Sequence, residues 1–92
     1  METFGAPFLK DLTRKAKNSV RLRQHFNIHQ NYEDPCQRLF NAIEPDSYIR
    51  PHRHKNYCGE ELLIAVSGLM ALITFNDQGV FSNCVCFGSE KR

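Results

Sequence analysis

The chain has 92 residues, of which 41% are hydrophobic, and a formal net charge of +2 at pH 7. This length predicts one domain, close to the lower size limit for a self-sufficient hydrophobic core. No run approaches the ~20 apolar residues of a membrane-spanning helix, and the first residues lack the basic-then-apolar order of a signal peptide. We therefore expect a cytoplasmic protein that does not associate with membranes.

The segment from Pro7 to Lys17 predicts an amphipathic helix. Its apolar residues recur at helical spacing, with charged residues on the opposite side. These apolar residues are Phe8, Leu9, Leu12 and Ala16. Pro7 suits the first turn of a helix. Because so short a helix is marginal alone, its apolar stripe must pack on another element, which we expect to be a sheet.

Positive charge is concentrated between Lys10 and Arg23, where six basic residues accompany one acid, Asp11. Such a stretch could contact phosphate. A solvated helix face is the simpler interpretation, since no interleaved aromatic residues offer a stacking platform for bases. We expect no nucleic-acid partner, while small anionic molecules remain candidate ligands.

From Gln37 onward the chain predicts five short strands separated by turns rich in Gly, Pro, Asn and Asp. The predicted strands span residues 37–43, 47–54, 61–66, 69–75 and 80–87. Strands of this length and spacing indicate an all-β sandwich or barrel. Residues 1–36 would then form an N-terminal helix and arm, and residues 37–92 the strands of the same domain.

His52 and His54 are the strongest candidates for site residues. On an extended strand, side chains one residue apart share a face. Glu61 follows on the next predicted strand, and two imidazoles with one carboxylate suit Fe, Mn, Ni or Zn. A plain polar strand face is the alternative. Glu60 would face solvent, but the two glutamates exchange roles if the loop ends one residue later.

Two further groups of residues can be placed by alternation. Arg50 and Tyr48 share the face of the histidines. Arg50 could therefore bind an anionic group bidentately, or it could simply be a solvated surface residue. Tyr48 could line the pocket. Cys84 and Cys86 also share one face of their strand. A zinc site combining both His and Cys pairs is chemically allowed, although free cysteines are more often small hydrophobic residues.

The segment from Asp46 to Gly68 resembles the first motif of the cupin superfamily, Gly-x5-His-x-His-x3,4-Glu-x6-Gly. Asp46 stands in place of the first glycine and is separated from His52 by five residues, and six residues separate Glu61 from Gly68. The gap between His54 and Glu61 is longer than the common pattern. The chain resembles the small WbuC-type cupin-fold metalloproteins over roughly residues 8–80. The features that carry this resemblance are the longer gap, the segment 21–29 and the residues Pro51-His-Arg-His.

This resemblance implies a cupin-like double-stranded β-helix, complete or partial, that holds one divalent transition metal. In bacteria the branch is associated with O-antigen and surface-polysaccharide gene clusters. It therefore implies a small metal-binding protein that acts on, or regulates the use of, an anionic carbohydrate-related ligand. Because cupins often dimerise, we expect a homodimer. A non-catalytic small-molecule binding module and a shortened, inactive relative are the alternatives.

The chain departs from the cupin pattern after the first motif. Cupins supply another metal-binding histidine from a second motif, whereas no histidine follows His54 here, and the sequence after Val80 does not resemble the family. A fourth ligand would then be water or His29, brought by the N-terminal arm, with His25 a weaker choice. His29 could equally be a hydrogen-bonded pocket residue. Arg23 of the same arm could add to anion binding.

Overall fold

The computed structural model describes residues 1–52 and 60–89. Its elements are, in chain order, α1 (Ala6–Lys17), β1 (Arg23–Asn27), β2 (Leu39–Ile43), β3 (Leu69–Phe75) and β4 (Phe81–Gly88). The chain divides into two compact units, Met1–Arg50 and Pro51–Arg92. Apart from the single helix, the regular structure is β, in two antiparallel two-stranded sheets. The expected combination of an N-terminal helix with β-strands is confirmed.

Helix α1 begins one residue before the predicted start, with a proline in its first turn. Asp11 forms ion pairs with Arg14 at 2.7 Å and with Lys15 at 3.2 Å, one turn further along. Three basic residues in the last turn complement the negative end of the helix dipole. Local interactions therefore stabilise both the middle and the end of the helix.

The first unit packs α1 against the sheet of β1 and β2. Leu12 and Ala16 are its buried apolar residues. Beside them, four phenylalanine rings form a cluster with centroid distances of 5.0–6.1 Å. The cluster consists of Phe4, Phe8, Phe26 and Phe40. The last two are opposite one another in the register of β1 and β2, so the apolar stripe of the helix packs on a sheet as expected.

The second unit contains the hairpin of β3 and β4. Leu72 faces Val85 and Ile73 faces Cys84 in its register. In the turn, the side-chain oxygen of Asn76 accepts hydrogen bonds from the backbone of Gln78 and Val80, each at 3.0 Å. Gly79 closes the turn with a φ of 78°, a conformation that glycine adopts without steric cost. Both strands agree with their predicted spans to within one residue.

Two predicted strands are absent. Residues 47–52 and 60–66 have no strand structure, and residues 53 and 54 of the first lie outside the described residues. An extended segment becomes a strand only when a neighbour satisfies its backbone groups, and the described residues offer these two segments no such neighbour. The two sheets of the described residues form no closed barrel. None of the described helices is long and apolar enough to cross a membrane.

Candidate functional site

The second unit carries the residues of the predicted metal site. His52 and Glu61 are exposed and lie outside any strand, so the alternation that aligned His52 with its neighbours does not apply to it. His54 lies outside the described residues. Among residues 1–52 and 60–89, no three His, Cys, Asp or Glu side chains are grouped closely enough to hold a metal ion.

Glu61 stands at an open cavity on one face of the β3–β4 hairpin. The cavity has a volume of about 300 Å³ and is lined by Glu61, Leu63, Leu72, Val85 and Phe87. The carboxylate of Glu61 therefore borders an apolar wall. Such a place suits a ligand that presents both an apolar surface and a group able to pair with a carboxylate.

Gly68, in the turn that precedes β3, has a clear structural role. Gly68 is buried and has a φ of 86°, and its carbonyl oxygen accepts a hydrogen bond from the Ser89 backbone at 3.0 Å. A Cβ atom added to Gly88 would collide with the Gly68 carbonyl and lie 2.8 Å from Cβ of Ala65. The turn after Glu61 thus packs tightly on the end of β4.

His29 lies in the first unit and is the buried polar residue there, with 6% of its surface exposed. Its Nδ1 lies 3.0 Å from the carbonyl oxygen of Arg38 and 3.2 Å from the Arg38 backbone nitrogen. Nδ1 can therefore donate to the carbonyl or accept from the N–H. Donation leaves the Nε2 lone pair open to a metal, the usual arrangement of a ligating histidine. If Nδ1 instead accepts from the Arg38 N–H, the role of His29 is purely structural.

Arg23 is the anion-binding candidate whose contacts are best defined. It begins β1, and its Nη1 donates to the Tyr48 carbonyl oxygen at 3.1 Å and approaches the Ser47 hydroxyl at 3.4 Å. That hydroxyl donates to the Arg21 carbonyl at 2.7 Å. Two predicted ligand-binding residues, Arg23 and Tyr48, are thereby brought together, while the Tyr48 side chain stays 75% exposed. Arg50 is also exposed.

A second cavity, of about 490 Å³, lies between the N-terminal segment, α1 and β1. Phe4, Phe8 and Phe26 form its apolar wall, and Asp11 and Lys15 stand at its rim. A hydrogen bond from Arg14, and a second one from Lys15 with a smaller effect, hold the pKa of the Asp11 carboxyl below its usual value. Phe4 precedes α1, Phe8 lies in α1 and Phe26 lies in β1, so only the helical part of this cavity had a sequence signal.

The chain belongs to a protein family described as a domain of unknown function, DUF6016, whose model matches residues 4–86. That match takes in both compact units and all the candidate site residues. Searches of the curated proteins and of the solved structures found no match.

Proposed function

We propose that this chain is a small metal-binding protein of the cupin type, in which His52, His54 and Glu61 hold one divalent transition metal. The observation that carries the proposal is the spacing of these ligands between Asp46 and Gly68. Two imidazoles and one carboxylate make a donor set suited to Fe, Mn, Ni or Zn. When bound, such a metal supplies a Lewis acid at an open coordination position.

Two features of the second unit support this proposal. The positive φ of Gly68 explains why a glycine stands seven positions beyond Glu61, since a side chain there would be strained. Glu61 borders a cavity and is not buried in a hydrophobic core, so its carboxylate is accessible to an ion. The proposed fold is a cupin-like double-stranded β-helix, complete or partial, in which the β3–β4 hairpin is one of the paired ribbons.

The proposed ligand of the protein is a small anionic or sugar-related molecule, with a role in bacterial surface-polysaccharide metabolism. Arg23 supports anion binding through its remaining donors. Its Nη1 is engaged by Ser47 and Tyr48, and its Nε and Nη2 are further donors of the same guanidinium. A guanidinium fixed at one nitrogen presents its other donors in a defined direction. Arg50 and Tyr48 complete this proposed set.

Metal titration of untagged protein tests the proposal, with adjacent glutamates as a matched pair. Glu61→Gln should weaken Mn²⁺ or Zn²⁺ binding by about tenfold or more, since a removed ligand costs at least as much as a disturbed outer-shell partner. Glu60→Gln removes the same charge one residue away and should leave binding unchanged. Equal effects of the two substitutions, or the absence of binding by the unmodified chain, would refute the assignment of Glu61.

A further inference from the structure

The cavity of the first unit has an aromatic wall made by Phe4, Phe8 and Phe26, whose rings are steeply inclined to one another. The planes of Phe4 and Phe8 meet at 61°, those of Phe4 and Phe26 at 64°, and those of Phe8 and Phe26 at 79°. A flat aromatic ligand can stack on only one of these rings, whereas a compact, nearly spherical group can touch all three. The shape of the wall therefore favours a compact group.

The aromatic wall is open to solvent. Phe26 is 41% exposed, and Phe4 and Phe8 are half-buried, so part of the ring surface is free to contact a ligand. The cavity in front of the rings has a volume of about 490 Å³, within the range of about 300–1,000 Å³ that is usual for small-molecule sites. A whole small molecule can therefore enter it.

The charges around the cavity leave one carboxylate without a partner. Asp11 pairs with Arg14 at 2.7 Å and with Lys15 at 3.2 Å, so the acid and the lysine at the rim offset one another. Glu2 also lines the cavity, and it forms no ion pair within residues 1–52 and 60–89. The remaining charge beside the aromatic wall is therefore negative, which complements a cation.

We propose that this cavity binds a small quaternary ammonium compound, whose trimethylammonium group rests on the aromatic wall beside Glu2. An aromatic ring attracts a cation that lies over its face within about 6 Å of the ring centroid. The three centroids are 5.0–6.1 Å apart, so one cation seated over them can meet this distance for every ring. Its methyl groups supply the apolar surface that packs against the rings and Leu12.

This site is separate from the proposed metal centre and from the proposed anion-binding residues. It lies wholly within the first unit, it uses no histidine, and it selects the opposite charge from the one that Arg23 attracts. Failure of either proposal therefore leaves the other standing.

Titration of the isotope-labelled 92-residue chain with choline, followed by NMR, tests the proposal. The matched control ligand is the neutral analogue of choline in which a tert-butyl group replaces the trimethylammonium group. We expect saturable shifts of the amides of Glu2, Phe8 and Phe26, and binding of the neutral analogue that is weaker by about fivefold or more. Equal affinity for the two compounds, or no saturable shifts at these amides with millimolar choline, would overturn the proposal.

Two variants separate the contributions of the ring and the charge. Phe26→Leu keeps an apolar side chain at a partly exposed position and should weaken choline binding by about threefold or more. Glu2→Gln should weaken choline binding and leave binding of the neutral analogue unchanged. Glu33→Gln removes the same charge from an exposed residue of the same unit that does not line the cavity. Unchanged choline affinity in the first two variants, or an equal loss in Glu33→Gln, would overturn the assignment.

Vesicles of phosphatidylcholine distinguish a free ligand from a lipid headgroup, which carries the same trimethylammonium group. We expect no cosedimentation of the chain with these vesicles, because the cavity is large enough to enclose a free molecule and the charged side chains of Asp11 and Lys15 stand at its rim. Cosedimentation that choline displaces would assign the cavity to a lipid surface and overturn the assignment of a free ligand.

Discussion

The Nη1 atom of Arg23 lies 3.1 Å from the backbone carbonyl oxygen of Tyr48, and this contact joins the start of β1 to the segment that leads into the histidine motif. Ser47 reinforces it, since its hydroxyl bridges the Arg23 guanidinium and the Arg21 carbonyl. Arg23, which the sequence analysis offered as an addition to anion binding from the N-terminal arm, thus also has a structural role. Its two roles can be separated by substitution.

Replacing Arg23 by alanine should lower the free energy of unfolding by about 1 kcal/mol, the typical net value of a hydrogen bond. Arg21→Ala removes an equal charge from a side chain whose backbone alone takes part in this network, so it should have almost no effect. Urea denaturation followed by circular dichroism measures both. An equal loss in the two variants would show that net charge, not the contact with Tyr48, is responsible.

The phenylalanine cluster should dominate the stability of the first unit. Phe8 contacts the rings of Phe4, Phe26 and Phe40 at centroid distances of 5.0–5.4 Å. We expect Phe8→Ala to cost about 2–3 kcal/mol, somewhat less than a fully buried phenylalanine because the ring is half-buried. Val20→Ala, at a fully exposed side chain, is the control. A loss below about 1 kcal/mol for Phe8→Ala would contradict this packing.

The ion pairs of Asp11 predict a pH-dependent contribution to helix stability. The Arg14 and Lys15 hydrogen bonds lower the pKa of Asp11 in the folded state below its ordinary value of 3.8. Its contribution is therefore fully present above that value and is lost as the pH falls through the lower, folded-state pKa. Asp11→Asn should lower the thermal midpoint near neutral pH and match the unmodified chain in strong acid.

Thermal unfolding of both proteins between pH 7 and pH 2 measures this difference. High salt should also reduce it, because Asp11 and its partners are exposed and screened. A difference between the two proteins that is constant across the pH range, or that grows in acid, would contradict the assigned ion pairs.

The two candidate roles of His29 give different results with asparagine and glutamine. Asparagine can place its amide nitrogen near the position of Nδ1 and keep the 3.0 Å hydrogen bond to the Arg38 carbonyl oxygen, but it lacks Nε2. If His29 is the fourth metal ligand, His29→Asn should retain the unfolding midpoint and lose about tenfold or more in metal affinity. His29→Gln, which mimics Nε2, should lose about 1–2 kcal/mol of stability. Unchanged metal affinity in His29→Asn would remove His29 from the ligand set.

The parts of the fold that were predictable from the sequence depend on local signals. Helix α1 has a helical apolar stripe and a proline at its start, and the β3–β4 hairpin has a turn built on Asn76 and Gly79. Each was therefore predicted to within one residue. Strand β1 was missed because its residues alternate irregularly and its pairing with β2 spans a connection of eleven residues, 28–38.

The candidate site was less predictable for a related reason. The spacing of His52 and Glu61 is visible in the sequence, but the strands expected to hold them require distant neighbours to satisfy their backbone groups. The hydrogen bonds of His29 with Arg38, and of Arg23 with Tyr48, also join distant segments. No local pattern of residue types predicts these hydrogen bonds.

The most direct test of the central claim is a crystal structure of the 92-residue chain grown with Mn²⁺ or Zn²⁺, with anomalous diffraction measured at the absorption edge of the metal. The account predicts an anomalous peak about 2.0–2.2 Å from one nitrogen each of His52 and His54 and from a carboxylate oxygen of Glu61. Three side chains far apart, or turned into bulk water with the metal bound elsewhere, would contradict it.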